Sequence, residues 1–313
     1  MTSLRPGRSG PPDGPSIRRQ SPRYGERAVM ALLLAAGALS VVVTVGIVVA
    51  LLFPALDFFR EIPVWEFLSG TRWAPTFADP SFGVWPLITG TIWTTVIGLL
   101  VAVPIGLAAA IYLAEYADPR VRKVLKPALE VLAGIPSVVY GYFALVFVAP
   151  ELLNDLLHVE VGTYSVLAAG LVLGIMIIPT IASLSEDSLT AVPQSLRQGS
   201  LALGANRMRT TLRVVFPAAI SGIAASVVLG LSRAVGETMI VALAAGTQAQ
   251  VVSSPTTPGQ TMTGYIAQTA TGESTPGTLT YNTLFAVGLL LFVITLVINI
   301  ISIRLVRRFR EAY

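Results

Sequence analysis

Residues 28–53 read AVMALLLAAGALSVVVTVGIVVALLF, a run without a single charged side chain. An α-helix rises about 1.5 Å per residue, so about 20 apolar residues cross the roughly 30 Å hydrocarbon core of a bilayer. The run is longer than the apolar core of a signal peptide. It therefore predicts a membrane-spanning helix that the chain retains.

Five further stretches of this length and polarity follow along the chain. The overall composition agrees with them, because hydrophobic residues make up 54% of the sequence and charged residues 12%, where a soluble domain carries about 25% charged residues. Backbone inside lipid must satisfy its own hydrogen bonds, so the sequence predicts an all-α polytopic membrane protein with a permease domain over 28–303. The six predicted spans are 28–53, 87–113, 129–149, 165–184, 218–245 and 283–303.

The distribution of Lys and Arg predicts an orientation in the membrane. Of the 21 such residues, 18 lie in alternate segments, two lie in the intervening segments, and Arg233 lies within the fifth span. Because basic residues favour the cytoplasmic side, both termini are predicted in the cytoplasm of a cell-membrane protein. Residues 1–27 are rich in Pro, Gly, Ser and Arg and are predicted to be a disordered basic tail. The remaining assignments are a basic cytoplasmic tail at 304–313, a cytoplasmic loop at 185–217, and external loops at 54–86, 150–164 and 246–282.

The fifth predicted span contains the sequence Arg233-Ala234-Val235-Gly236-Glu237-Thr238. On a continuous helix, Arg233 and Glu237 share a face because they are four residues apart. Charges at membrane depth are costly and face partners or water, so the two residues form either an ion pair that locks the helices or a polar station on a solute pathway. The planar guanidinium suits an oxyanion. We expect Arg233, Glu237 and Thr238 to line such a pathway, with Glu237 holding the arginine or accepting a proton from the anion.

The loop 185–217 is far longer than a helix–helix turn. Its sequence predicts two short helices around Gly204 and a helix stop at Pro217. Such a segment is typical of an amphipathic element that lies on lipid headgroups, or of a helix that docks into the groove of a cytoplasmic partner. The residue pattern leaves these two interpretations even.

Several sequence features exclude common site chemistries. The chain has no cysteine, and His158 is its single histidine. It has no phosphate-binding loop motif, and Lys123 and Lys126 are its two lysines. Metalloprotease and nucleophile-elbow motifs are also missing. We therefore predict no catalytic residue, no metal site, no cofactor bound by this chain and no nucleic-acid partner.

The 185–217 loop resembles the loop shared by permease subunits of bacterial ABC importers. Its family form is Glu-Ala-Ala, three residues, Gly, nine residues and Ile-x-Leu-Pro. Here Gly204 is followed after nine residues by Val214-Val215-Phe216-Pro217, and Gln198-Gly199-Ser200 replaces Glu-Ala-Ala. The resemblance implies a type I (MetI-like) importer fold in which this loop docks on an ATPase subunit, which favours docking over the lipid-surface interpretation. The implied docking residues are Gln198, Gly199, Ser200, Leu203, Gly204, Ala205, Phe216 and Pro217.

The chain is further similar to phosphate-importer permeases of the PstC type over nearly all residues after 28. The stretches that carry this resemblance are 82–88, 110–116, 132–141, 183–187 and 233–239. The resemblance implies phosphate as the substrate, a PstA-like permease as heterodimer partner, and a PstS-like phosphate-binding protein. It also implies two PstB-like ATPase subunits, which would hold ATP and Mg. It also favours the assignment of Arg233 and Glu237 to the translocation pathway.

Two other functions stay open. One is a permease for another oxyanion, such as phosphonate, sulfate or molybdate. The other is a membrane sensor or scaffold that signals phosphate status without translocating it. A membrane enzyme is the least supported, because the sequence shows no nucleophile with a base in reach and no metal cluster.

Overall fold

The computed structural model describes residues 24–272 and 275–308, which are mainly helical. Within them, six helices are long and apolar enough to cross a membrane, which confirms the predicted number of spans. The predicted tail at 1–27 lies outside the described residues, except that residues 24–27 form the first turn of a helix. The end of the basic tail, 309–313, also lies outside them.

The helices and strands are numbered along the chain, with three π-helical segments labelled π1 to π3. The internal contacts divide the chain into two units, Met1–Val49 and Ala50–Tyr313, and the first α-helix begins in one and ends in the other. The elements are α1 (Tyr24–Glu61), α2 (Val64–Ser69), β1 (Trp73–Ala74), β2 (Ser81–Phe82), α3 (Trp85–Ile111), π1 (Tyr112–Tyr116), α4 (Pro119–Ala133), α5 (Ser137–Phe143), π2 (Ala144–Leu156), α6 (Val166–Thr190), α7 (Gln194–Ala202), α8 (Arg207–Thr210), π3 (Thr211–Val215), α9 (Phe216–Gly236), α10 (Met239–Ala244), α11 (Met262–Thr271) and α12 (Leu279–Arg308).

In the second unit, α6 is the most buried span, and it packs closely against α3. Small residues permit this approach. A Cβ atom on Gly174 would lie 2.8 Å from the carbonyl oxygen of Gly98, and one on Gly170 would lie 2.7 Å from Cβ of Ile97. Lipid tails are as apolar as the helices, so association rests on such close van der Waals packing rather than on the hydrophobic effect. Leu173, Met176 and other apolar side chains of α6 complete this core.

One end of the second unit is closed by aromatic side chains around the β1–β2 hairpin. Phe58 of α1 meets Phe67 and Phe82 edge to face, with ring centroids 5.7 and 5.5 Å apart. Trp73 continues the cluster to Tyr265 of α11 at 5.0 Å. Edge-to-face contacts add a directional term to the burial of these rings. The predicted external segment 54–86 is therefore an ordered cap.

Three proline positions explain why the spans differ from their predicted bounds. The third span was expected over 129–149 but begins at Ser137, because Pro136 disfavours helical geometry at the residue before it and ends the preceding helix α4. Its predicted end was also wrong, since Pro150 lies inside π2 and the helix continues to Leu156. Wider π turns tolerate the missing proline N–H. Similarly, α1 continues past Pro54, where Ala55 and Phe58 are buried.

The opposite end of the second unit carries α4, α7 and α8 and is called the basic end. Leu189 in the last turn of α6 and Val192 just after it pack there with Val215 and Ala219 in the first turns of the fifth span. The predicted loop 185–217 is shorter than expected, because α6 continues to Thr190 and the helix of the fifth span already begins at Arg207.

Candidate functional site

The fifth span is interrupted at the residues that the sequence singled out. Helix α9 ends at Gly236, Glu237 adopts an extended conformation with ψ 132°, and α10 begins at Met239. The Glu237 carboxylate accepts hydrogen bonds from the backbone N–H groups of Met239 and Ile240 at 3.1 and 3.3 Å. The Thr263 hydroxyl donates to the carbonyl of Glu237 at 2.6 Å. These bonds satisfy backbone groups that the interruption would otherwise leave open.

The expectation that Arg233 and Glu237 share a helix face is wrong. A spacing of four residues aligns side chains on a continuous helix, but here the helix stops between them. Among the described residues, no ion pair joins the two side chains, and the Arg233 guanidinium has no hydrogen-bond partner. Arg233 is exposed on the surface of the single chain. An arginine within a span that lacks a partner in its own chain must face water, a solute or another subunit.

The start of the third span lies beside this break. Helix α5 begins directly after the turn 134–136, and Gly141 within it permits contact with α10. A Cβ atom on Gly141 would lie 2.9 Å from Cδ1 of Leu243 and 3.2 Å from Cα of Ile240. The Tyr140 hydroxyl, which donates to the carbonyl of Leu132 at 3.0 Å, lies within electrostatic range of Arg233. The structure thus places the start of the third span beside the break in the fifth span, near Arg233, which has no ion-pair partner among the described residues.

Thr238 has a local role in the structure. Its hydroxyl donates to the carbonyl of Gly236 at 3.3 Å, and the side chain is half-buried. Of the three predicted pathway residues, Arg233 therefore presents a charged group to the surroundings, while Glu237 and Thr238 stabilise the break between α9 and α10.

The predicted docking loop forms a helical hairpin at the basic end. Gln198 and Gly199 lie exposed on α7, and Leu203 beyond its end is 91% exposed. Gly204 turns the chain with a φ of +83°, a conformation that L side chains rarely adopt. The Ser200 and Thr210 hydroxyls lie 2.9 Å apart and join α7 to α8, and Ala205 donates its N–H to the carbonyl of Ser200 at 3.2 Å.

The prediction of a second, separate short helix that stops at Pro217 is wrong. The residues from Arg207 to Gly236 form one continuous helix, which includes Phe216 and Pro217. Pro217 lacks an N–H and therefore breaks the regular i to i−4 ladder. Here it follows directly on π3, where the ladder already changes from π to α geometry, so that the helix accommodates the proline without ending.

Comparison with known proteins shows the family. The sequence profile described as "Binding-protein-dependent transport system inner membrane component" matches residues 102–311, more than half of the chain. The chain belongs to this family. It is 41% identical over 231 residues to "Probable ABC transporter permease protein YqgH" of Bacillus subtilis, with 74% of each chain covered. It is 36% identical over 249 residues to "Phosphate transport system permease protein PstC 1" of Mycobacterium tuberculosis, with 72% of this chain and 73% of the relative covered.

Solved structures support the fold of this transport component. It matches a chain of the inward-facing MetNI methionine ABC transporter with a TM-score of 0.52 at 21% identity, covering 73% of this chain and 95% of that chain. It matches a chain of a bacterial importer of alginate with a TM-score of 0.57 at 16% identity, covering 85% and 96%. The prediction of an importer-permease fold is confirmed.

At the basic end, the transport component contains a buried pair that sequence reasoning missed. Arg197 of α7 pairs with Glu115 of π1 at 2.9 Å, and the two side chains are 11% and 8% exposed. The same guanidinium donates to the carbonyls of Leu189, at 2.7 Å, and Val192. Arg197 and Glu115 are 82 residues apart in the sequence, so no local pattern links them. The family motif includes the adjacent Gln198 but not Arg197.

A second group of charges on this transport component connects α4 to α6. Glu186 is buried and accepts hydrogen bonds from Arg122 and from Lys126, the latter at 2.6 Å. Lys126 also reaches Asp187 at 2.6 Å, and the Thr190 hydroxyl donates to Glu186 at 3.2 Å. In the sequence, Arg122 and Lys126 contributed to the count of basic residues that predicts the orientation. The acidic residues nearby were the signal that could have linked α4 to α6.

These contacts act on the protonation of Lys126. The hydrogen bonds to the Asp187 and Glu186 carboxylates raise the pKa of the Lys126 ammonium above its ordinary value of 10.5, against a smaller opposing effect of burial. The charged form is therefore the one that the folded protein stabilises.

Proposed function

We propose that this chain is a transmembrane permease subunit of an ATP-driven phosphate importer, in which it forms half of the translocation pathway. The observation that carries the proposal is its identity of 34–36% with relatives named as PstC phosphate permeases, over about three quarters of both chains. A permease of an ABC importer transports rather than catalyses, so ATP hydrolysis belongs to other subunits.

Arg233 is the residue that we propose to contact phosphate during its passage. Its guanidinium is exposed on the single chain and lies near the break in the fifth span and the start of the third span. The planar guanidinium presents several N–H donors to the oxygens of a phosphate, and its positive charge compensates for the hydration that the anion loses. One such contact without further cations favours transient binding, which a conducting site needs for release.

Glu237 and Thr238 form part of the pathway wall in this proposal. Because the Glu237 carboxylate is held by backbone N–H groups of α10, its role is to hold the break in the fifth span open and so to position Arg233. Acceptance of a proton from the anion remains a second proposed role for the same carboxylate. A Glu237→Gln variant separates them, since the amide oxygen still accepts N–H bonds but the side chain no longer takes a proton.

The loop 185–217 is proposed as the docking site for an ATPase subunit. Its exposed tip, with Leu203 next to the turn at Gly204, is a short apolar projection of the kind that fits a groove. The proposed assembly contains a PstA-like permease, two PstB-like subunits that hold ATP and Mg, and a PstS-like protein that delivers phosphate at the end opposite the docking loop. Both termini of the chain lie in the cytoplasm in this arrangement.

Reconstitution into vesicles with these partners tests the proposal. The expected result is uptake of labelled phosphate that requires both ATP and the binding protein. ATP hydrolysis that phosphate-loaded binding protein stimulates, with no phosphate entering the vesicle, would instead support the sensor function.

A permease for another oxyanion is the second candidate. It is favoured by the 41% identity to the Bacillus subtilis relative, whose name specifies no substrate, and by the ability of a guanidinium to bind many oxyanions. Competition for the uptake of labelled phosphate decides between phosphate and another oxyanion as the substrate. If phosphonate, sulfate or molybdate abolishes uptake at concentrations where unlabelled phosphate does not, phosphate is not the substrate.

A further inference from the structure

Both arms of the docking loop are attached to the same short segment of the second span. From α7, Arg197 pairs with Glu115 at 2.9 Å. From α8, the Arg207 guanidinium lies 5.1 Å from the ring centroid of Tyr116, in cation–π contact. Glu115 and Tyr116 are the last two residues of π1, which continues α3. The loop is joined covalently to α6 and α9, so these contacts add α3 as a third helix.

A hydrogen bond also joins the two arms to each other. The hydroxyls of Ser200 on α7 and Thr210 on α8 lie 2.9 Å apart, next to the turn at Gly204. A displacement of the exposed tip therefore reaches the contacts of both arms with π1. None of the α7 residues is buried, so its hold on the rest of the molecule depends on a few directed contacts.

The Arg197–Glu115 pair is the strongest of these contacts by its environment. Its side chains are 11% and 8% exposed, so water screens their attraction little. Arg197 also donates to the carbonyls of Leu189 and Val192. Removal of one member of a buried pair leaves the other charge uncompensated, which strongly disfavours geometries that separate them. The pair therefore resists separation when the loop moves.

The segment π1, which both arms contact, has an irregular geometry. π-Helical turns are rare and less regular than α-helix, and they occur mostly at functional positions. A shift between π and α hydrogen bonding moves the residues beyond the turn relative to the helix before it. Glu115 and Tyr116, the last two residues of π1, shift with the chain that follows them.

From these contacts we infer that π1 is the receiver through which movement of the docking loop reaches α3, with Glu115 as the positioning residue and Arg197 as its partner on the loop. The inference rests on the proposed function for the origin of the movement, which is an ATPase bound at the loop. It adds that side-chain contacts between the docking loop and π1 transmit the movement to α3. Loss of these contacts uncouples ATP hydrolysis from transport without preventing docking.

Three variants test the link in the reconstituted complex. Glu115→Gln removes the charge but keeps the shape, Arg197→Lys keeps the charge but loses the fork, and the double variant Glu115→Arg, Arg197→Glu exchanges the partners. Asp187→Asn is the matched control, because Asp187 lies on α6 before the hairpin of α7 and α8, and its ion pair with Lys126 at the same end connects α6 to α4 rather than either arm to π1. Assembly is checked by co-purification with the ATPase.

The expected result is a loss of phosphate carried per ATP hydrolysed of about tenfold or more in Glu115→Gln, with assembly retained. We expect a smaller loss in Arg197→Lys, at least partial recovery in the exchanged pair and no change in Asp187→Asn. A ratio for Glu115→Gln within twofold of the wild type would overturn the inference. If Glu115→Gln does not assemble, the ratio in Arg197→Lys decides instead.

A second readout separates this inference from the proposed function. The chain has no cysteine, so Leu100→Cys, at a position in α3 that is 70% exposed, introduces a single thiol. We expect trapping of the ATPase with ATP and vanadate to change the rate at which maleimide labels this thiol, and Glu115→Gln to abolish the change. A change that persists in Glu115→Gln overturns the link whatever the substrate. Loss of phosphate uptake in the wild type, with the labelling change intact, contradicts the proposed substrate alone.

Discussion

At the scale of single residues, Arg233 is distinguished by its position as a charged side chain in the last turn of the apolar helix α9. Arg122 and Arg197 at the basic end are paired with carboxylates, whereas Arg233 has no ion-pair or hydrogen-bond partner among the described residues. Its neighbour Glu237, the obvious candidate, instead stabilises the start of α10. A cation within a span that its own chain leaves uncompensated is suited to an anion that passes.

Arg233→Leu is expected to lower phosphate uptake by about 100-fold or more while the complex still assembles, since charge-assisted hydrogen bonds contribute ~1.5–3 kcal/mol each. Arg233→Lys, which keeps the charge but not the fork, is expected to retain part of the activity. Uptake of labelled phosphate by vesicles measures both. Arg60→Leu, at an exposed arginine near the opposite end, is the control and is expected to be unchanged. Wild-type uptake by Arg233→Leu would refute the pathway role.

Lys126 gives a second prediction at this scale. Its pKa is raised in the folded protein by Asp187 and Glu186, so its contribution to stability is fully present below pH 10.5 and is lost as the pH rises through the higher folded value. The difference in melting temperature between wild type and Lys126→Gln is therefore expected to be constant from pH 7 to 10 and to shrink above that. Thermal melts of the purified protein in detergent measure it. A difference that keeps its size up to pH 12 would contradict the assignment.

At the scale of elements, glycine decides how two segments meet. Gly204 joins α7 to α8 with φ +83°, whereas Gly199 lies within α7 in helical geometry with open space around it. The same substitution should therefore have opposite effects at two positions five residues apart.

Gly204→Ala is expected to destabilise the turn by about 1 kcal/mol and to weaken co-purification with the ATPase, because a Cβ atom is disfavoured at positive φ. Gly199→Ala is expected to stabilise α7 by about 0.5–1 kcal/mol and to leave co-purification intact. Binding of the ATPase to immobilised permease compares the two. Equal binding by both variants would show that the turn geometry does not matter for docking.

The approach of α3 to α6 gives a further prediction at this scale. Valine at Gly174 would place Cβ 2.8 Å from the carbonyl oxygen of Gly98 and would force the helices apart. We expect Gly174→Val to lower the melting temperature and the yield of folded protein strongly. Gly46→Val, at a glycine of α1 with nothing within 4 Å, serves as the control. Melts of equal midpoint would contradict the packing argument.

At the scale of the whole molecule, the orientation in the membrane is the prediction to test. The excess of basic residues in alternate segments predicts that both termini lie in the cytoplasm. Alkaline phosphatase fused after residue 160, between the third and fourth spans, is therefore expected to be active, and a fusion after residue 204 inactive. Green fluorescent protein fused to the C-terminus is expected to fluoresce. The reverse activities would invert the topology and move the docking loop to the outer side.

Several properties follow from the sequence by itself. The number of spans is local in origin, because each depends on about 20 consecutive apolar residues and on backbone that cannot be left unpaired in lipid. The turn at Gly204 is likewise a property of a single residue and its neighbours. The interest of Arg233 also came from its sequence position alone, as a charge within an apolar stretch.

The tertiary structure alone decided how the charged residues are used. Thr263 of α11 holds the break at Glu237 through a contact across 26 residues, and this break separates Glu237 from the helix face of Arg233 that the four-residue spacing predicted. Arg197 meets Glu115 across 82 residues, so no periodicity of the sequence reveals that α7 is attached to α3. Hydrophobicity acts on each segment separately, whereas an ion pair or a helix break depends on which segments the folded chain brings within about 3 Å of each other.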